Sequence, residues 1–129
     1  MLKLNDVHHI AIICGDYEKS KKFYTDILGF SILGEVYRET RDSYKLDLAL
    51  HGNYKIELFS FPNPPARVSR PEAAGLRHLA FSVDNIEENV TFLKDQKIDV
   101  EAIRIDEYTG KKFTFFEDPD GLPIELYEL

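Results

Sequence analysis

An internal repeat constrains this chain more than any other feature. Val7-His8-His9-Ile10-Ala11-Ile12 recurs as Leu76-Arg77-His78-Leu79-Ala80-Phe81, and a shift of 69 positions sets His9 on His78, Ile10 on Leu79, Ala11 on Ala80 and Phe23 on Phe92. At a shift of 68, Ile56-Glu57-Leu58-Phe59 falls on Ile124-Glu125-Leu126-Tyr127. A histidine and a carboxylate that repeat in step with apolar positions point to two copies of one structural unit. Each copy, at about 60 residues, buries too little surface to be robust alone. The copies are expected to pack as a single domain over 1–129, or to pair with a second subunit.

Val and Ile content reads 7–13 as a strand, broken at Gly15-Asp16. Asp16 is a helix N-cap, and Tyr17, Phe23, Tyr24, Ile27 and Leu28 form one helical stripe over 17–28, ended by Gly29. Strands follow at 30–39, 44–50 and 54–61, with a tight turn at His51-Gly52-Asn53. Prolines 62, 64, 65 and 71 rule out a helix or central strand in 62–75, which reads as a connector. The pattern then restarts: strand 76–83, a helix over about 85–97 capped by Asp84, and strands near 100–105, 112–116 and 124–128. Asp118-Pro119-Asp120-Gly121 is a turn. The expected fold class is α+β, two βαβββ modules over about 5–61 and about 76–129.

The composition narrows the function classes. A formal charge of −7 disfavours a general nucleic-acid binder, which needs a basic footprint. The one cysteine, Cys14, precludes an internal disulfide and fits a reducing cytoplasmic setting; its strand parity makes it a packed small hydrophobe. No leader pattern and no run near 20 apolar residues is present, so a membrane association is not expected.

Strand parity carries the chemistry. Ile10 and Ile12 share one face while His9 lies on the other; Leu79 and Phe81 likewise oppose His78, and the aliphatic neighbours of Glu57 and Glu125 oppose those carboxylates. With the aliphatic faces under the helices, all four polar groups project from the opposite face. Two imidazoles and two carboxylates there can chelate Zn, Ni, Co, Mn or Fe. An isolated strand His or Glu is ordinarily structural or solvent-facing; matched placement in both copies reverses that reading. His8 points the other way and aligns with Arg77, so the ligand is His9, and His8 is expected to be structural or to support the ligand from behind. His51, at a turn, is expected to be solvated.

The paired βαβββ pattern with His9, Glu57, His78 and Glu125 resembles the vicinal oxygen chelate superfamily, which includes glyoxalase I, methylmalonyl-CoA epimerase, extradiol dioxygenases and fosfomycin or bleomycin resistance proteins. Gly75 to Phe81 and Asp118-Pro119-Asp120-Gly121 followed by Ile124-Glu125-Leu126 look most like its glyoxalase I-related, YaeR-like bacterial members. The resemblance implies a cup-shaped mixed sheet around one divalent ion, Ni, Co or Zn before Mn or Fe, held by His9, Glu57, His78 and Glu125. It implies lyase or isomerase chemistry in which a hemithioacetal of an α-ketoaldehyde such as methylglyoxal becomes a 2-hydroxyacyl thioester through an enediolate. Glu125 is the base by resemblance, with Glu57 as the alternative. Dioxygenases of this superfamily use two His and one Glu, so Glu57 tilts the reading away from them.

A thiol co-substrate needs its own contacts. Arg41, Arg70 and Lys111, among other basic residues at strand ends and loops, are candidates to hold its carboxylates or phosphates; a solvated basic rim is the competing reading. Phe59, Phe113, Phe115 and Tyr127 are candidates to line an apolar wall. A homodimer is expected, with the site completed either within one chain or across two. The competing functions are a non-catalytic antibiotic-binding protein and an Fe(II) extradiol-type dioxygenase.

Overall fold

The computed structural model describes residues 1–129. In order, the elements are β1 (Ile10–Cys14), α1 (Tyr17–Lys22), a π-helical turn (Phe23–Ile27), β2 (Ser31–Arg38), a 3-10 turn (Glu39–Arg41), β3 (Ser43–Leu50) and β4 (Asn53–Ser60). There follow β5 (Leu79–Val83), α2 (Ile86–Asp95), β6 (Arg104–Ile105), β7 (Lys112–Glu117) and β8 (Pro123–Glu128). They build two four-stranded mixed sheets with few helices, an α+β fold, in the orders β1-β4-β3-β2 and β5-β8-β7-β6. The chain divides into two compact units, Met1–Ala66 and Arg67–Leu129, with the boundary inside the proline-bearing stretch 62–75. No helix is long and apolar enough to cross a membrane.

The repeat is a repeat of topology. In each unit the first strand pairs parallel to the last, β1 with β4 and β5 with β8, and antiparallel neighbours complete the sheet. In the first unit Leu46, Leu48, Ile56, Leu58, Cys14 and Tyr24 are fully buried, and α1 packs against β4. In the second, α2 packs on β8, with Ile86, Val90 and Leu93 of the helix buried, as are Ile124 of β8 and Thr114 of β7. The aliphatic sheet faces are therefore the covered ones. Cys14 is packed as expected and donates to the Phe59 carbonyl at 3.2 Å.

Several boundaries depart from the sequence reading. The strands expected at 7 and 76 begin at Ile10 and Leu79, so both histidines sit one residue ahead of a strand that is an edge of its sheet. The helix over 17–28 is α-helical only to Lys22; its last turn widens, with Leu28 N donating to Phe23 O at 3.0 Å, and Gly29 leaves it at φ +80°. Asp16 caps α1 through Lys19 N, whereas α2 is capped by Asn85, which accepts from Glu88 N, and not by Asp84. The strand expected at 100–105 shrinks to Arg104–Ile105, since Glu101 N to Phe115 O is a single bond outside the ladder. His51 and Gly52, both at positive φ, close the β3–β4 hairpin with His51 exposed.

Candidate functional site

The structure gathers the four predicted ligands as two pairs, one in each unit. In the first, parallel register sets Ala11 beside Glu57, so His9, Ala11 and Glu57 share a face. His9 Nε2 stands 3.8 Å from Glu57 Oε1. In the second, Ala80 lies beside Glu125, and His78 Nε2 stands 3.9 Å from Glu125 Oε1. The glutamate side chains are only 15% and 16% exposed. These separations exceed a hydrogen bond. They suit two atoms that share an ion, since ligands at about 2.0–2.2 Å from one metal stand up to about 4.4 Å apart. Imidazole nitrogen and carboxylate oxygen are the donors that Zn, Ni, Co, Mn and Fe accept, so the chemistry of each pair suits a divalent cation. No group of three or more His, Cys, Asp or Glu side chains is gathered in metal-binding proximity.

The surroundings of the pairs differ. His9 stacks on Tyr54 with centroids 5.2 Å apart and ring planes 6° apart, and its Nδ1 meets His8 Nδ1 at 2.8 Å. The Tyr54 hydroxyl donates to Asp47 Oδ1 at 2.7 Å and is shared with Glu57 Oε2 at 3.2 Å. Lys45 Nζ contacts both Asp47 oxygens at 2.9 Å and Glu57 Oε2 at 3.4 Å. Burial pushes the Asp47 carboxyl up, but the hydrogen bonds from Lys45 and Tyr54 outweigh it and hold the group below its ordinary range. Burial, then the bond to Asp47, raises the Tyr54 phenol, and the bond to Asp47 raises the Lys45 ammonium.

In the second unit the matching positions are aromatic. Asp47 and Lys45 lie opposite Glu57 and Phe59; Phe115 and Phe113 lie opposite Glu125 and Tyr127. His78 meets Phe115 edge to face at 5.1 Å, and its Nδ1 is buried without a hydrogen-bond partner. No hydrogen bond holds Glu125, whose ion-pair neighbour is His78. Phe59, Phe113, Phe115 and Tyr127 are each half-buried on the glutamate faces of their sheets.

Arg41, in the 3-10 turn, Arg70, beside the cis peptide to Pro71, and Lys111, ahead of β7, are all exposed, and none bonds to the four ligands. Asp47 and Tyr54 were not among the sequence candidates. The hairpin offered only part of the signal for Asp47: the turn pairs Leu50 with Asn53, and the register shift between Leu48 and Ala49 is needed to set residue 47 opposite residue 57. Tyr54 has no such signal, because the register shifts between Leu48 and Ala49 and brings its ring onto the polar cluster.

Comparison with known proteins agrees with this architecture. The chain is 66% identical over 128 residues to the uncharacterized protein YaeR of Escherichia coli (strain K12), covering 99% of each, and 63% identical over 125 residues to the uncharacterized protein YwkD of Bacillus subtilis (strain 168), covering 97% of this chain and 98% of that one. The crystal structure of a glyoxalase family protein from Enterococcus faecalis superposes with a TM-score of 0.89 at 50% identity, covering 95% of this chain and 97% of the other. More distant relatives are named for different activities, among them methylmalonyl-CoA epimerase of Bos taurus, 30% identical over 95% of this chain and 74% of that one. Residues 6–126 match the profile of a single family, and the doubled sheet with its two His–Glu pairs is what that match covers: the chain belongs to the glyoxalase/bleomycin resistance protein/dioxygenase (vicinal oxygen chelate) superfamily.

Proposed function

We propose that the chain is a metal-dependent lyase of the glyoxalase I type, in which His9, Glu57, His78 and Glu125 together hold one divalent ion, Ni, Co or Zn before Mn or Fe. The observation that carries the reading is the repetition of a His–Glu pair at equivalent register positions with nearly equal separations, 3.8 and 3.9 Å. A bound ion would supply Lewis acidity to the oxygens on two adjacent substrate carbons, easing enediolate formation. The remaining work falls to the side chains. His9, His78 and Glu57 are holding groups; Glu57 is tied through Oε2 to Tyr54 and Lys45, leaving Oε1 toward His9.

Glu125 is free of such ties and serves as the base. It takes the proton from the hemithioacetal carbon, which bears the hydroxyl and the sulfur, and returns it to the neighbouring carbonyl carbon. The hydroxyl proton passes to the oxygen of that neighbour, so a hydroxy ketone becomes a 2-hydroxyacyl thioester with no atom gained or lost. Phe115, opposite Glu125 on β7, gives the carboxylate an apolar neighbour on one side. The reading includes a thiol co-substrate and a homodimer. That a relative bears the name epimerase supports proton transfer at carbon as the class of step. The test is an assay of metal-loaded protein with methylglyoxal and several thiols, followed by thioester absorbance. Turnover that is lost in Glu125→Gln supports the assignment, and no turnover with Ni, Co, Zn or Mn removes it.

A further inference from the structure

Among the basic side chains of the first unit, Arg38 is held in place yet lacks a counter-charge. Its guanidinium carbon lies 4.6 Å from the Phe59 ring centroid and 5.6 Å from that of Phe61. Nη2 donates to the buried Ser43 hydroxyl at 2.8 Å. Its Nε is buried with no hydrogen-bond partner, and no carboxylate pairs with the group. By contrast Lys21, Lys45, Arg77, Arg104 and Lys112 all have acidic partners. In a chain of formal charge −7, a fixed guanidinium left unpaired is a place where an outside anion gains most.

Its position ties it to the candidate site. Arg38 lies opposite Ser43, Val36 opposite Lys45, Lys45 opposite Phe59, and Asp47 opposite Glu57, so Arg38 projects from the same sheet face as Glu57. Phe59 is two residues from Glu57 along β4, about 7 Å, which places the guanidinium on the order of 10 Å from the carboxylate. That reach exceeds a small ketoaldehyde and matches the far end of a larger ligand anchored near Glu57.

We propose that Arg38 is an anion-binding, specificity-determining residue that takes a carboxylate or phosphate on the thiol-derived part of the substrate. Stacking on Phe59 and Phe61 with the Ser43 contact pre-orients the group, so little side-chain entropy is lost on binding. This rests on the lyase reading for the identity of the ligand, but its test does not need turnover.

Calorimetric binding to the metal-loaded protein is compared for glutathione, its diethyl ester and coenzyme A, in the wild type, Arg38→Met and Arg38→Lys. Wild type is expected to prefer glutathione over the ester, and Arg38→Met to weaken the anionic thiol by about 10- to 100-fold while leaving the ester unchanged. Arg38→Lys should restore part of the loss. Glutathione binding without coenzyme A binding assigns a carboxylate, and the reverse a phosphate. A wild type that binds neither anionic thiol, one that binds glutathione and its ester equally tightly, or a folded Arg38→Met that binds the anionic thiol as wild type does, overturns the proposal. Anion binding lost in Arg38→Met, in a protein with no lyase turnover, keeps the anion site and discards the lyase reading.

Discussion

Glu57 and Glu125 occupy matched positions in unlike settings, and the difference decides how each behaves. Tyr54 and Lys45 restrain one oxygen of Glu57, whereas Glu125 faces Phe115 with no hydrogen bond to hold it. Glu125→Gln should lower kcat about 10²- to 10⁴-fold with little change in KM, measured by steady-state kinetics. Tyr54→Phe should instead weaken metal binding, by about 10-fold, through loss of the outer contact to Glu57. A separate cluster contributes to the pH dependence of stability. The hydrogen bond from Lys21, then that from Tyr17, holds Glu35 below its ordinary value of 4.5, while Lys21 and Tyr17 are raised, Lys21 chiefly by that bond and Tyr17 by burial first. A lowered acid stabilises the fold above its unfolded pKa and loses that contribution as pH falls below about 4.5. The raised Lys21 and Tyr17 contribute below their unfolded values and lose that contribution as pH climbs past about 10. Denaturation midpoints of Glu35→Gln should therefore vary less with pH than wild type on both limbs.

Among elements, the caps and the core carry separate, measurable shares of stability. Asn85→Ala removes the bond to Glu88 N and should cost about 1 kcal/mol in chemical denaturation, whereas Asp84→Ala should stay within about 0.5 kcal/mol. Leu58→Ala, in a fully buried position of β4, should cost about 2–5 kcal/mol. Elements whose signals are local were legible: the Asp16 cap, the Gly29 stop, the His51-Gly52 turn and the alternation of β4 all follow from adjacent residues. Segments whose fate depends on a partner were not. Residues 100–103 have strand composition, but only the β7 backbone determines whether they join a ladder, and they meet it through one bond. The choice of Asn85 over Asp84 likewise depends on where α2 begins, one residue that periodicity does not resolve.

For the whole molecule, the repeat made the fold class and both His–Glu pairs legible, because a shift of one sequence on itself exposes equivalent registers. The Lys45–Asp47–Tyr54 cluster and the unpaired Arg38 were not, since they arise from cross-strand neighbours and from charges that find or lack partners in three dimensions. Under the proposal one ion engages ligands from both units, and metal at 100 times its Kd should stabilise the fold by about 2.7 kcal/mol, so chelation should lower Tm by several degrees. The most direct measurement is a calorimetric metal titration of apo protein, wild type against His9→Ala and His78→Ala. The account predicts one ion per chain for the wild type and affinity reduced at least about 10-fold by either substitution, one in each unit. A wild type that binds no divalent metal, or a titration that either substitution leaves unchanged, would contradict it.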